Sequence, residues 1–224
     1  MLSDLIAQYG WVGVLTVTNF NVFWLIFYGL CIRRGHLDKS YSVPMLAIFA
    51  NFAWDITASS IAPVPFPQSI LTTIFSAIGV VLFWQAIHHW KSDFPNIPTI
   101  QFYIWMLVSF VFSMLLTITY VLDNRDYPPY QIAFIDTFIN SALFIVMFYH
   151  RQDTLRGQSI YIGLSKLIGT TPFLLWNYLQ PAPHIQGLLL LPVLYMGIFL
   201  LDLAYVILYY IRAKQLNQPI WGRF

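Results

Sequence analysis

Residues 187–211 read GLLLLPVLYMGIFLLDLAYVILYYI, a stretch interrupted by one charge, Asp202. As a helix rising ~1.5 Å per residue it reaches ~37 Å, more than the ~30 Å hydrocarbon core of a bilayer. Six further apolar runs lie near 10–32, 44–62, 68–88, 101–122, 130–149 and 159–179. Together they predict an all-α, polytopic membrane protein: a seven-transmembrane-helix bundle forming a single domain over residues 1–224. The first run is too long for a signal peptide and lacks a basic lead-in. Prolines mark the connections, with Pro63, Pro65 and Pro67 in one, Pro95 and Pro98 in another, then Pro128 and Pro129, then Pro181 and Pro183.

Composition agrees. Of 224 residues, 58% are hydrophobic and 9% charged, where soluble domains carry about 25% charge. All nine acids are Asp. Such a chain cannot cover a water-facing surface and needs the lipid bilayer as solvent. The net charge of +2 is too small to suggest nucleic acid. The single cysteine, Cys31, excludes a disulfide framework and a multi-thiolate metal site.

Basic residues set the expected orientation. One set of connections holds Arg33, Arg34, Lys39, Lys91, Arg151 and Arg156 and, in the tail, Arg212, Lys214 and Arg223. The opposite set holds only Arg125. The N-terminus is therefore expected outside and the C-terminus in the cytoplasm.

Four charges fall inside the runs: Asp55, Asp136, Lys166 and Asp202. Each costs about 3 kcal/mol at bilayer depth and is expected to face the bundle interior. Counted from the cytoplasmic end, Asp55 lies ~16 Å deep and Asp202 ~13 Å, so neighbouring helices would let the two carboxyls share a cavity. Asn51, Asp55 and Ser59 form one line at i, i+4, i+8, flanked by Trp54. Tyr195, Asp202, Tyr205 and Tyr209 fall on roughly one face. Both acids are thus expected among aromatic rings with few basic partners. Burial of that kind keeps a proton on a carboxyl at neutral pH, and ring faces stabilise cations. Asn51 is expected to orient Asp55. Asp136, one turn from Asn140, is expected to hydrogen-bond neighbouring helices, and Lys166 to pair with an Asp or snorkel. Asn140 and Trp176 complete the candidate substrate lining; Trp90, Trp105 and Trp176 also fit an interfacial belt.

No metal site is expected. His36, His88, His89, His150 and His184 fall in loops or at span ends, and none pairs at i, i+4 inside a span. Asp-rich DDxxD runs, GxGxxG, GxxxxGK[ST] and GxSxG are absent, and the last span lacks the lysine a retinal Schiff base needs.

Asn51-Phe52-Ala53-Trp54-Asp55 on the second span and Asp202-Leu203-Ala204-Tyr205 on the last resemble the acid motifs of the small, seven-span membrane terpene cyclases of fungal meroterpenoid and indole-diterpene pathways. That family carries N-x-x-W-E and D-x-x-Y at these places. The likeness covers nearly the whole chain, with one departure. Asp55 stands where the family usually has Glu, which sets the carboxyl about 1.3 Å further back on its stem. The resemblance implies Asp55 and Asp202 as catalytic acids, no cofactor and no metal. It implies a lipophilic prenylated or epoxy-prenylated substrate, supplied by an upstream prenyltransferase and epoxidase. It also implies initiation by protonation of a terminal epoxide or alkene, in the cell membrane of a bacterium or the endoplasmic reticulum of a fungus. Paired intramembrane acids equally serve a proton-coupled transporter, although no inverted repeat is visible. A membrane sterol or lipid isomerase is a third possibility.

Overall fold

A computed structural model describes residues 2–62, 68–124, 130–181 and 189–224, with backbone alone for 2–5 and 7–9. Pro63, Pro65, Pro67, Arg125, Pro128, Pro129, Pro183 and His184 lie outside the described residues. Among the described residues, seven α-helices follow the seven apolar runs: α1 (Leu2–Leu37), α2 (Met45–Ser60), α3 (Gln68–His89), α4 (Thr99–Asp123), α5 (Tyr130–His150), α6 (Ile160–Leu179) and α7 (Leu190–Gln215). A 3-10 turn, Trp90–Ser92, follows α3, and no strand occurs among the described residues.

Local chemistry sets the helix ends. Pro44 and Pro98 precede α2 and α4 with ψ near 136° and 138°, and their carbonyls accept the first helical bonds, from Ile48 N (3.0 Å) and Phe102 N (3.1 Å). Ser159 caps α6, its hydroxyl accepting from Tyr161 N at 3.1 Å. Inside α1, Gly10 takes φ 66° and ψ 168°, a conformation glycine adopts without steric cost, and the helix kinks there.

Among the described residues, five helical segments are long and apolar enough to cross a membrane: Gly10–Leu37, Gln68–Ser92, Thr99–Asp123, Tyr130–His150 and Leu190–Gln215. α2 has only 16 residues, ~24 Å at helical rise. α6 is long enough, but Lys166, Pro172 and Asn177 dilute its hydropathy. Outward faces are greasy. On α4, Ile100, Leu107, Val108 and Phe112 are all exposed, as are Val193 and Met196 on α7. Interiors instead hold Asp55, Asp136, Asn140, Lys166 and Asp202. This distribution inverts that of a soluble domain and suits a hydrocarbon solvent.

The chain divides into two compact units, Met1–Leu30 with Ser159–Phe224, and Cys31–Gln158. In the first, α6 packs on α7. Phe20 of α1 meets Phe173 of α6 with ring centroids 4.7 Å apart. Pro172 has no N–H for the carbonyl of Ile168, and Asn19 supplies the missing donor, reaching Ile168 O at 3.0 Å and Gly169 O at 3.3 Å. In the second unit α2 packs against α3, α4 and α5. Phe49 of α2 lies among Phe83, Trp105 and Phe110 at 5.5, 6.4 and 6.1 Å.

Candidate functional site

On α7 the spacing read from the sequence holds. Tyr195, Asp202, Tyr205 and Tyr209 are all buried, and the last two rings sit 6.4 Å apart. Asp202 is not short of a basic partner, however. Lys166 Nζ lies 2.5 Å from its Oδ1, and each side chain is 4% exposed. The expectation of few basic partners is corrected here, because α6 approaches α7 closely enough for the lysine to reach. Gly163 permits that approach: a Cβ there would meet Tyr205 Cδ1 at 2.7 Å. Of the two fates expected for Lys166, it takes the ion pair. Asp202 Oδ2 is buried and accepts no hydrogen bond among the described residues.

In the second unit, Asp55 is buried on α2, and Asp136 is buried on the adjacent α5, within electrostatic reach of it. No Lys or Arg pairs with Asp55 among the described residues. The polar line on α2 is not a hydrogen-bonded chain. Ser59 gives its hydroxyl proton to Ile56 O at 3.0 Å. Asn51 Nδ2 is buried with no partner among the described residues, so it does not orient Asp55 through a hydrogen bond. Asn140 is fully buried, and neither its Nδ2 nor its Oδ1 has a partner among the described residues. Vacant buried amides are costly in a finished core and are suited to receiving a polar ligand atom. Trp54 is half-buried beside Asp55.

A family model describing Pyr4-like transmembrane terpene cyclases matches residues 5–215. The chain belongs to that family. A relative from Annulohypoxylon moriforme, described as the Pyr4-family terpene cyclase mfmH, is 25% identical over 170 residues, covering 71% of this chain and 70% of its own length. No solved structure matches. The chain is thus a terpene cyclase and an integral membrane protein, carrying its apolar helices for that environment.

Trp176 of the cyclase stands apart from Lys166 on the same helix. It is half-buried on α6, its ring 6.4 Å from Phe173, ten residues or ~15 Å along the helix from Lys166.

A second charged cluster, which hydropathy and helical spacing do not reveal, forms where the connections after α1, α3 and α5 meet. Asp93 accepts from the Tyr41 hydroxyl, from Arg151 Nε at 2.9 Å and from Arg156 Nη2 at 2.7 Å, and it also pairs with Arg151 Nη2. Arg151 Nη1 donates to Tyr41 O at 2.7 Å, and its guanidinium lies 4.3 Å over the Tyr41 ring. Burial works against ionising Asp93, but hydrogen bonds and charge from Arg151, with Tyr41 and Arg156, outweigh it and hold the carboxyl below its usual range. Burial foremost, opposed by Arg151 and aided by Asp93, pushes the Tyr41 hydroxyl up, so it remains a donor. Opposite charges on connections of one set were the available signal. The distance of 58 residues between Asp93 and Arg151 concealed it.

Proposed function

We propose that this cyclase protonates the terminal epoxide or alkene of a prenyl chain and lets cation-driven attack by successive alkenes close the rings. Asp55 is the donor and Asp202 the second essential acid. What supports the proposal is the burial of Asp55 and Asp202, the aspartates of the two stretches that resemble the family's acid motifs, in a chain matched by the family over residues 5–215. Asp55 has Asp136 within electrostatic reach and no paired Lys or Arg among the described residues, and the reaction needs from it a carboxyl that carries its proton. Asn51, Asn140 and Trp54 receive the oxygen-bearing part of the substrate. Tyr195, Tyr205 and Tyr209 offer ring faces to developing cations, each worth up to ~2 kcal/mol where water is excluded.

The substrate is lipophilic, a prenylated or epoxy-prenylated aromatic or polyketide that partitions into the bilayer. Neither metal nor cofactor is required, because protonation begins the reaction. Ring closure sums to an isomerisation: an epoxide oxygen becomes a hydroxyl, alkene electron pairs become ring bonds, and one proton leaves. The chain works as one seven-span membrane domain with its C-terminus in the cytoplasm, next to a prenyltransferase and an epoxidase in its pathway.

The test is expression with an epoxyfarnesyl phenol and product analysis. Wild type is expected to cyclise it with chelator present, and Asp55→Asn and Asp202→Asn are each expected to yield none. Full turnover by either variant, or strict dependence on magnesium, overturns the proposal.

A further inference from the structure

The two acids stand in opposite surroundings. Asp55 has the carboxyl group of Asp136 within electrostatic reach, whereas Asp202 is held by an ammonium at 2.5 Å. We propose that Lys166 is a positioning residue that holds Asp202 as an oriented carboxylate, with Oδ1 engaged and Oδ2 left as acceptor of the proton that ends the cyclisation. This assignment rests on the cyclase mechanism proposed above and gives each acid one direction of proton transfer.

Geometry and chemistry agree on it. Pairing at Oδ1 fixes the carboxylate between α6 and α7 and leaves one buried oxygen without a donor among the described residues. Lys166 from α6 pairs with the carboxylate, and the hydroxyl-bearing Tyr195, Tyr205 and Tyr209 are buried along α7 itself. Stability alone does not account for the pair, since a buried ion pair roughly breaks even against apolar residues of the same size. A tertiary carbocation is so acidic that any vacant carboxylate takes its adjacent hydrogen. What the reaction needs is a carboxylate that does not already carry a proton.

The step balances. Asp55 loses its proton to the substrate, and the last C–H bond leaves its electron pair as a new alkene. That proton bonds to Asp202 Oδ2. No electrons are gained or lost, and the two carboxyls reset by exchanging one proton with solvent.

Infrared spectroscopy of the full chain in lipid nanodiscs, labelled with carbon-13 aspartate, tests the state of Asp202 without any substrate. Subtracting Asp202→Asn from wild type should reveal a carboxylate band. The same subtraction in a Lys166→Met background should reveal a protonated C=O band instead, and Lys166→Arg should restore the carboxylate. With the epoxyfarnesyl phenol, Lys166→Met is expected to lower kcat about tenfold with little change in KM, most of it recovered by Lys166→Arg. A protonated Asp202 in wild type, or a Lys166→Met variant with unchanged spectrum and kcat, overturns the proposal. If Lys166→Met fails to insert, the wild-type and Lys166→Arg spectra still decide it. Failure of the cyclase mechanism itself looks different: wild type leaves the probe uncyclised whatever the Asp202 band shows.

Discussion

Lys166 Nζ lies 2.5 Å from Asp202 Oδ1, and each side chain is 4% exposed. Removing one member of such a pair strands the other's charge, which costs about 3–5 kcal/mol. Asp202→Asn is therefore expected to lower the thermal unfolding midpoint as well as abolish cyclisation. Adding Lys166→Met should recover most of the midpoint and none of the activity. Recovery of both would reduce the pair to packing.

Asp136 distinguishes a neighbour from a reactant. Asn in its place keeps the shape and removes the titratable carboxyl within reach of Asp55. The expected result is a folded protein whose turnover falls about tenfold without vanishing, as suits a group acting through another. Turnover at the wild-type rate makes Asp136 purely structural, and complete loss makes it a reactant.

Asp93 gives the fold an acid limit. Its carboxyl is held below the usual range, so its contribution is complete above the unfolded value of about 3.9 and is lost as pH falls through the folded value beneath it. The unfolding midpoint of wild type should fall across that window, and Asp93→Asn should flatten this part of the profile at a lower overall stability. A variant with the same steep acid decline refutes the assignment.

Asn19 and Pro172 should couple. Asn19→Ala leaves the Ile168 carbonyl without a donor and is expected to cost about 1–2 kcal/mol. Pro172→Ala supplies the helical N–H, so the Asn19→Ala cost should shrink in that background. Additive losses in a double-mutant cycle would show that the two residues act independently.

Much of this was legible because lipid imposes a simple rule. A run of about twenty apolar residues announces its helix, and the observed α3, α5 and α6 begin within a residue of the runs read at 68, 130 and 159. Asp55, Asp136, Lys166 and Asp202 were conspicuous because charge is costly there, and all four are buried. Which charge meets which was not legible. Lys166 and Asp202 are 36 residues apart, and their meeting depends on the side-chain-free flank at Gly163. Asn51 misled for a related reason: i, i+4 spacing places two groups side by side without making one donate to the other. The Asp93 cluster escaped because charged residues in connections ordinarily face water, whereas Arg151 is 3% exposed.

That cluster also constrains the order of biogenesis. Arg151 leaves the ribosome 58 residues after the carboxylate it will neutralise, and Arg156 later still. Through that interval Asp93 has Tyr41 as its only partner of the three already synthesised. The membrane end of the second unit is latched only once the fifth helix has been made, so a nascent chain halted before Arg151 carries an open end and an uncompensated acid for quality control to recognise.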